Sequence, residues 1–175
     1  MTRAVALLRG VNVGGKSALS MADLVRVAAA AGLADPQTYL QSGNLVFTTG
    51  RDAALDGVEL AAALRRDLGL VTEVIVRSSD RLAGVAAGSP FDVDDPRFLH
   101  VVFLAATPAA TSVSTLDPDR SPPDAFHVDG DHIYVSYPSG SGRSKLSLDY
   151  FERQLGVTGT ARNWNTVTNL LAMVG

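Results

Sequence analysis

The sequence predicts an α+β protein in two parts. A ferredoxin-like βαββαβ unit is expected over residues 1–88 and a smaller α+β unit over 98–175, both with antiparallel sheets and packed helices. Three observations support this. The first half runs strand, helix, hairpin, helix, strand, which is the split βαβ order. A turn-rich acidic stretch, Gly88-Ser-Pro-Phe-Asp-Val-Asp-Asp-Pro-Arg97, separates the halves, with 89–97 as the connection. A second clear hairpin, Phe126 to Val135, is then followed by a helical stripe, so the second half loosely repeats the order of the first.

Each element has its own signal. Ala4 to Leu8 is a short apolar run before glycines and reads as a buried strand. Ser20 is a helix cap with Asp23 in the first turn. Met21, Leu24, Val25 and Ala28 follow at helical spacing, and Gly32 stops the helix. Two β-rich runs in Thr38 to Thr48 flank Gly43-Asn44, a pair suited to a tight hairpin turn. Asp52 caps a helix that reaches Leu68 and ends at Gly69, with Leu55, Val58 and Ala62 sharing one face and Leu60, Leu64 and Leu68 nearby. Val71 to Val76 reads as a strand, and Asp80 caps a short helix to Ala87.

Beyond the connection, Phe98 to Ala106 is a strong strand. Ala109 to Leu116 is a poor helix because Thr and Ser weaken it. Asp117 to Asp124, with three prolines, is a loop. Asp129-Gly130 turns the second hairpin, and Ser136 to Arg143 is a Gly/Ser/Pro loop. A helix is expected from Ser144 to Leu155, stopped by Gly156. The last helix is expected from Asn163 to Met173, with Trp164 opening its apolar stripe.

Gly10 to Ser17 spells G-x-x-x-x-G-K-S, the phosphate-loop pattern of nucleotide hydrolases. In a true phosphate loop the helix begins at the lysine, so that backbone N–H groups and the helix dipole hold the phosphates. Here the capping signal falls later, at Ser20. Neither Val71 to Val76 nor Phe98 to Ala106 ends in a magnesium-binding acid. An antiparallel hairpin directly after the first helix also does not suit a parallel nucleotide-binding sheet. The hydrolase reading is therefore rejected, and Gly14-Gly15 either form a simple wide turn or contribute to an anion site.

Composition narrows the function classes. Of the 175 residues, 46% are apolar and 19% charged, which excludes a disordered chain. There is no cysteine, so disulfides and thiolate metal sites are excluded and a reducing cytoplasm fits. No apolar run approaches the length of a signal peptide core or a membrane span. A net charge of −3 does not favour a general nucleic-acid binder.

Three polar stretches combine cations or amides with glycine turns or helix starts, and a polar hairpin tip joins them. In the first, Arg9, Asn12, Lys16 and the amides of Gly14 and Gly15 can approach a phosphate or carboxylate. The hairpin tip Gln41-Ser42-Gly43-Asn44 offers amide donors and acceptors. Gly140 to Lys145 places Arg143 and Lys145 beside a helix start capped by Ser144. In Thr160-Ala-Arg-Asn-Trp-Asn165, Asn163 is a cap, and Arg162 either binds an anion or pairs with an internal carboxylate. The expectation is that Arg9, Lys16, Arg143, Lys145 and Arg162 line one cleft between the halves.

His127 and His132 straddle a two-residue turn and are expected to pair across the hairpin edge; no metal site is assigned. Asp92, Asp94 and Asp95 lack calcium-loop spacing. There is no G-x-S-x-G elbow, and no acid/base pair stands out. No catalytic residue and no cofactor are assigned.

Several ordered stretches together resemble a known family. They are Leu8-Arg-Gly-Val-Asn-Val-Gly-Gly-Lys16 with Met21-Ala-Asp-Leu24, Thr38 to Phe47, Tyr137-Pro-Ser-Gly-Ser-Gly-Arg-Ser-Lys-Leu146, and Thr160-Ala-Arg-Asn-Trp-Asn-Thr-Val167. The chain resembles, over nearly its whole length, the bacterial family catalogued as domain of unknown function 1697. The resemblance implies a two-part α+β fold with a ferredoxin-like N-terminal unit. It implies no established reaction, cofactor or partner.

Three functions are weighed. The first is a cytoplasmic binding module for a phosphorylated or other anionic ligand, with a nucleotide or nucleic-acid end included. The second is an enzyme on a small anionic substrate, with Lys16 or Lys145 stabilising developing charge. The third is a structural or partner-binding protein in which the basic residues only shape loops. The shared cation-and-amide chemistry favours the first.

Overall fold

Strand β1 (Thr2–Leu8) enters as an unbroken apolar run, and Ala4 to Leu8 are fully buried. The computed structural model describes residues 1–92 and 94–175. Val93, in the 89–97 connection, lies outside the described residues.

After β1 come α1 (Met21–Ala30), β2 (Ala34–Tyr39), β3 (Asn44–Thr49), α2 (Ala53–Leu68), β4 (Val74–Ser78) and α3 (Ser79–Ala87). The first sheet has the order β2-β3-β1-β4 with antiparallel neighbours throughout. That is the ferredoxin-like arrangement the element order predicts. Caps define α1 and α2 as expected, whereas α3 begins at Ser79, so Asp80 lies in its first turn and the Ser78 hydroxyl accepts from Arg81 N instead. The Ser20 hydroxyl accepts from Asp23 N at 3.0 Å, and Asp52 accepts from Ala54 N at 2.9 Å. Gly69 closes α2 in the left-handed region at φ 64°.

The core on one sheet face joins Ala4, Ala6, Leu8, Leu45 and Phe47 to Leu24 and Val27 of α1 and to Leu60 and Leu64 of α2. Each fully buried Leu or Phe contributes about 1.5–3 kcal/mol. The inward face of α2 keeps Leu60 and Leu64 of the expected apolar residues but not Leu55 and Val58. Leu55 and Val58 are 55% and 69% exposed, while Gly57, Leu60, Ala63 and Leu64 face inward. Gly57 lets the helix approach the sheet closely on this face, because a Cβ there would stand 2.9 Å from Val76 Cγ2.

The turn of the first hairpin also differs from expectation. Asn44 is the first residue of β3, and residues 40–43 make the connection, with Leu40 at φ 58° and Gly43 at φ 81°. A side chain at Gly43 would meet Val11 Cγ2 at 2.6 Å and Leu8 Cβ at 2.8 Å. Strand β2 starts earlier than its β-rich run. Pro36 fits within it because β2 lies at the sheet edge, where a missing N–H is tolerated.

The remaining elements are β5 (Leu99–Leu104), α4 (Ala110–Val113), β6 (Ala125–Asp129), β7 (His132–Ser136), α5 (Leu148–Leu155), β8 (Gly159–Asn163) and α6 (Trp164–Val174). The second sheet has the order β6-β7-β5-β8, again antiparallel throughout. It is the same topology as the first, completed by β8, a strand with no apolar run to signal it in the sequence. Its core joins Val102, Leu104, Ile133 and Val135 to Tyr150, Phe151 and Leu155 of α5.

Helix α5 begins at Leu148 rather than at Ser144. The Ser147 hydroxyl accepts from Tyr150 N at 3.2 Å and caps it, whereas Ser144 Oγ accepts from Leu146 N in the preceding loop. The two histidines of the second hairpin do not pair, because the register sets His127 opposite Tyr134 and His132 opposite Asp129. By internal packing the chain divides into Met1–Gly84 with Leu170–Gly175, and Val85–Asn169. The division runs within α3 and α6.

Candidate functional site

The glycine-rich loop of the first unit is a small hairpin of its own. Lys16 N donates to Val13 O at 3.1 Å, and Gly14 and Gly15 stand at φ 58° and 74°. Two successive left-handed residues closed by that bond make a type I′ turn. The Lys16 amide is thus engaged by the turn, and α1 starts only at Met21. A phosphate loop needs that amide free at a helix start, so this geometry is not one.

Asn12 ties this hairpin down. Its Nδ2 donates to Leu19 O and to Gln41 O, and its Oδ1 accepts from Leu19 N. Loop 9–19 and turn 40–43 are therefore adjacent. Arg9, Lys16 and Gln41 carry exposed side chains here, and the Lys16 ammonium has no partner among the described residues. Arg9 N donates to Glu73 O. Asn44 faces inward instead: it is fully buried, and its Nδ2 donates to Tyr39 O and Ser42 Oγ. Its amide shapes the turn, as does the Asn12 amide.

The second unit holds the other two stretches. Arg162 is a strand residue of β8, not a loop residue before a helix. It is 8% exposed, and its Nη1 donates to Thr160 Oγ1 at 2.7 Å and Ala161 O at 2.9 Å. Burial pushes the guanidinium down to about 10. Asn163, the last residue of β8, caps α6 as expected, its Oδ1 accepting from Thr166 N at 2.9 Å.

Loop 139–145 faces the proline-rich loop 121–124. Residues Ser121, Pro122, Pro123 and Asp124 form one wall of a cavity of about 550 Å³, and Ser139, Gly140, Gly142, Arg143 and Ser144 form the other. That volume lies within the usual range for small-molecule sites. The walls are pinned together. Lys145 N donates to Ser121 Oγ, Ser121 Oγ donates to Asp124 Oδ2, each at 3.1 Å, and Arg120 Nε donates to Lys145 O at 3.0 Å. The Arg120 guanidinium lies 4.0 Å from the Tyr150 ring centroid, and Asp117 N donates to Tyr150 Oη. A loop held at Asp117, Arg120 and Ser121 presents a fixed surface.

The electrostatics of the cavity follow from what is and is not paired. The Arg143 side chain is exposed at the rim and has neither a hydrogen bond nor an ion pair among the described residues. Asp124 is 9% exposed, and only one of its carboxylate oxygens is satisfied by a side chain, the Ser121 hydroxyl. Nearby, burial and the Asp124 charge together push the Tyr137 phenol up to about 12, and its hydroxyl donates to Leu146 O at 2.7 Å.

Of the expected site residues, the fold gathers Asn12, Gly14, Gly15, Lys16, Gln41 and Ser42 around one loop pair. It sets Arg143 and Ser144 on the cavity wall, while Lys145 joins only through its backbone, which bonds to Ser121 and Arg120. Ser121, Pro122, Pro123, Asp124 and Ser139 are cavity residues that no local signal in the sequence marks. Among the described residues no group of three His, Asp or Glu side chains is placed to hold a metal ion. None of the described helices is long and apolar enough to cross a membrane.

The fold has a counterpart among solved structures, described as a conserved bacterial protein, SP0830, from Streptococcus pneumoniae. The likeness has a TM-score of 0.74 over 99% of each chain, at 21% identity. A search of curated proteins finds no match. The model of the family described as Protein of unknown function (DUF1697) matches residues 1–134. That is more than half of the chain, and the chain belongs to this family.

Proposed function

We propose that this protein binds a small phosphorylated or otherwise anionic ligand in the cavity between Ser121–Asp124 and Ser139–Ser144, with Arg143 as the charge anchor. The observation that supports this reading is an unpaired guanidinium at the rim of a concave, hydroxyl- and glycine-lined site of ligand size. A guanidinium presents a planar fork of donors that matches the oxygens of a phosphate or carboxylate. Gly140 and Gly142 let a ligand approach the loop backbone without meeting side chains. A nucleotide falls within this class. The net charge of −3 disfavours an extended nucleic acid, whose affinity rests on many phosphate contacts.

Titration of inorganic phosphate into the full chain, followed by amide chemical shifts, tests the reading. Saturable shifts in residues 139–145, abolished by Arg143→Ala in a folded variant, are the expected result. Saturable binding that persists in Arg143→Ala, or no binding at all, contradicts it.

A further inference from the structure

A purely anionic ligand leaves half of this cavity unexplained. Asp124 is a carboxylate more than nine-tenths buried, and it lines the same space as Arg143. One of its oxygens accepts from the Ser121 hydroxyl, and the other accepts no hydrogen bond among the described residues. Water can serve such an oxygen, but an acceptor of this kind beside an anion anchor would repel a ligand that brought only negative charge. The site instead suits a molecule with an anionic end and, a short distance away, hydrogen-bond donors.

Resting on the anion reading above, we propose that the ligand is a phosphorylated polyol of the sugar-phosphate class. The phosphate would lie on Arg143 and the Gly140–Gly142 backbone, and a hydroxyl would donate to Asp124. Two features favour hydroxyls over an ammonium group, and a third prepares the carboxylate for either. The walls carry the hydroxyls of Ser139 and Ser144, whose protons are committed to no acceptor among the described residues and so match neutral hydroxyl groups. Pro122 and Pro123 give the cavity an apolar strip, which fits the C–H face of a polyol carbon chain. The Ser121 proton is already committed to Asp124, because Ser121 Oγ accepts from Lys145 N. The carboxylate is thus held in one orientation, ready for a second donor.

Calorimetric titration of the full chain with four probes tests this: inorganic phosphate, propyl phosphate, glycerol phosphate and phosphoethanolamine. Glycerol phosphate should bind at least about tenfold tighter than propyl phosphate, its hydroxyl-free counterpart, since a hydrogen bond to a charged group carries a factor of that size or more. Asp124→Asn should bring the two within about threefold while leaving the affinity for inorganic phosphate in place. Equal affinity for glycerol and propyl phosphate overturns the polyol proposal and leaves the anion reading standing. Tighter binding of phosphoethanolamine than of glycerol phosphate also overturns the proposal, by assigning Asp124 to an ammonium. If no probe binds, the anion reading itself fails. The wild-type comparison of glycerol and propyl phosphate decides the matter even where Asp124→Asn does not fold.

Discussion

Arg77 and Arg162 hold the same position in two different sheets. Val5 of β1 faces Val46 on one side and Arg77 on the other; Val101 of β5 faces Tyr134 and Arg162 in the same way. Each arginine is buried, and each donates from Nη1 to the carbonyl just before it, Val76 O at 3.0 Å and Ala161 O at 2.9 Å. Each strand then passes without a linker into a helix, α3 or α6. The two units therefore share registers as well as order, although no residue-level repeat is visible in the sequence.

Position in the strand makes Arg162 a fold residue. Arg162→Ala removes at least the bonds to Thr160 and Ala161 and leaves a void, and it should lower stability by about 2–4 kcal/mol. Arg143→Ala, at an exposed and unpaired site, should change stability by less than about 0.5 kcal/mol. Urea denaturation of both variants checks the contrast. Similar losses in the two would show that Arg143 is also structural.

Two helical glycines should respond with opposite signs to alanine. A Cβ added at Gly84 in α3 would meet nothing within 4 Å, so Gly84→Ala should stabilise by about 0.5–1 kcal/mol through helix propensity. Gly57 in α2 would place its Cβ 2.9 Å from Val76 Cγ2 and 3.1 Å from Val74 O, so Gly57→Ala should destabilise by about 1–3 kcal/mol. Thermal denaturation midpoints that move in the same direction would refute the close approach of α2 to β4 as the reason for its glycine.

Gly43 carries both a positive φ and a steric conflict with Leu8 and Val11. Gly43→Ala should therefore cost more than about 2 kcal/mol, whereas Gly14→Ala, with open space around it, should cost about 1 kcal/mol from backbone strain alone. Chemical denaturation of the two variants separates strain from collision; equal losses would leave the contact with Leu8 and Val11 without effect.

Alkaline pH should destabilise the fold. Burial pushes the Tyr134 and Tyr137 phenols up to about 12, with the Asp129 and Asp124 charges respectively adding to the effect. Above pH ~10 the unfolded phenols ionise while the folded ones keep their protons, so the unfolded state binds fewer protons and stability falls as pH rises. The contribution is complete below pH ~10 and is lost between about 10 and 12, up to about 2–3 kcal/mol for each phenol. Urea midpoints across that window, with Tyr137→Phe as comparison, check the slope; a flat profile in the wild type contradicts it.

What could be read from the residues depends on how each one advertises itself. The caps Ser20 and Asp52 and the stop Gly69 are local devices, and the structure uses each as the sequence suggests. Strand β4 shows as Val-Ile-Val before its arginine, but its counterpart β8 has Gly-Thr-Ala at the same three positions and so lacks the apolar run that signals a strand. The Asn163 cap signals the helix that follows and masks the strand before it. The close approach of α2 to β4 depends on Gly57, whose meaning lies in a contact that no local pattern encodes. Arg143 and Ser144 stand out beside glycines. Ser121 and Asp124 do not, because only the fold turns a proline loop toward the Gly140–Ser144 segment.

If an anion is held at Arg143, and not at the glycine-rich loop near the N-terminus, its position should be visible. Crystals soaked in tungstate, an anomalously scattering analogue of phosphate, would locate it. The expected peak lies in the cavity, within hydrogen-bonding distance of the Arg143 guanidinium and the Gly140–Gly142 backbone. A peak at the Val13–Lys16 turn with none in the cavity would contradict an Arg143 anchor.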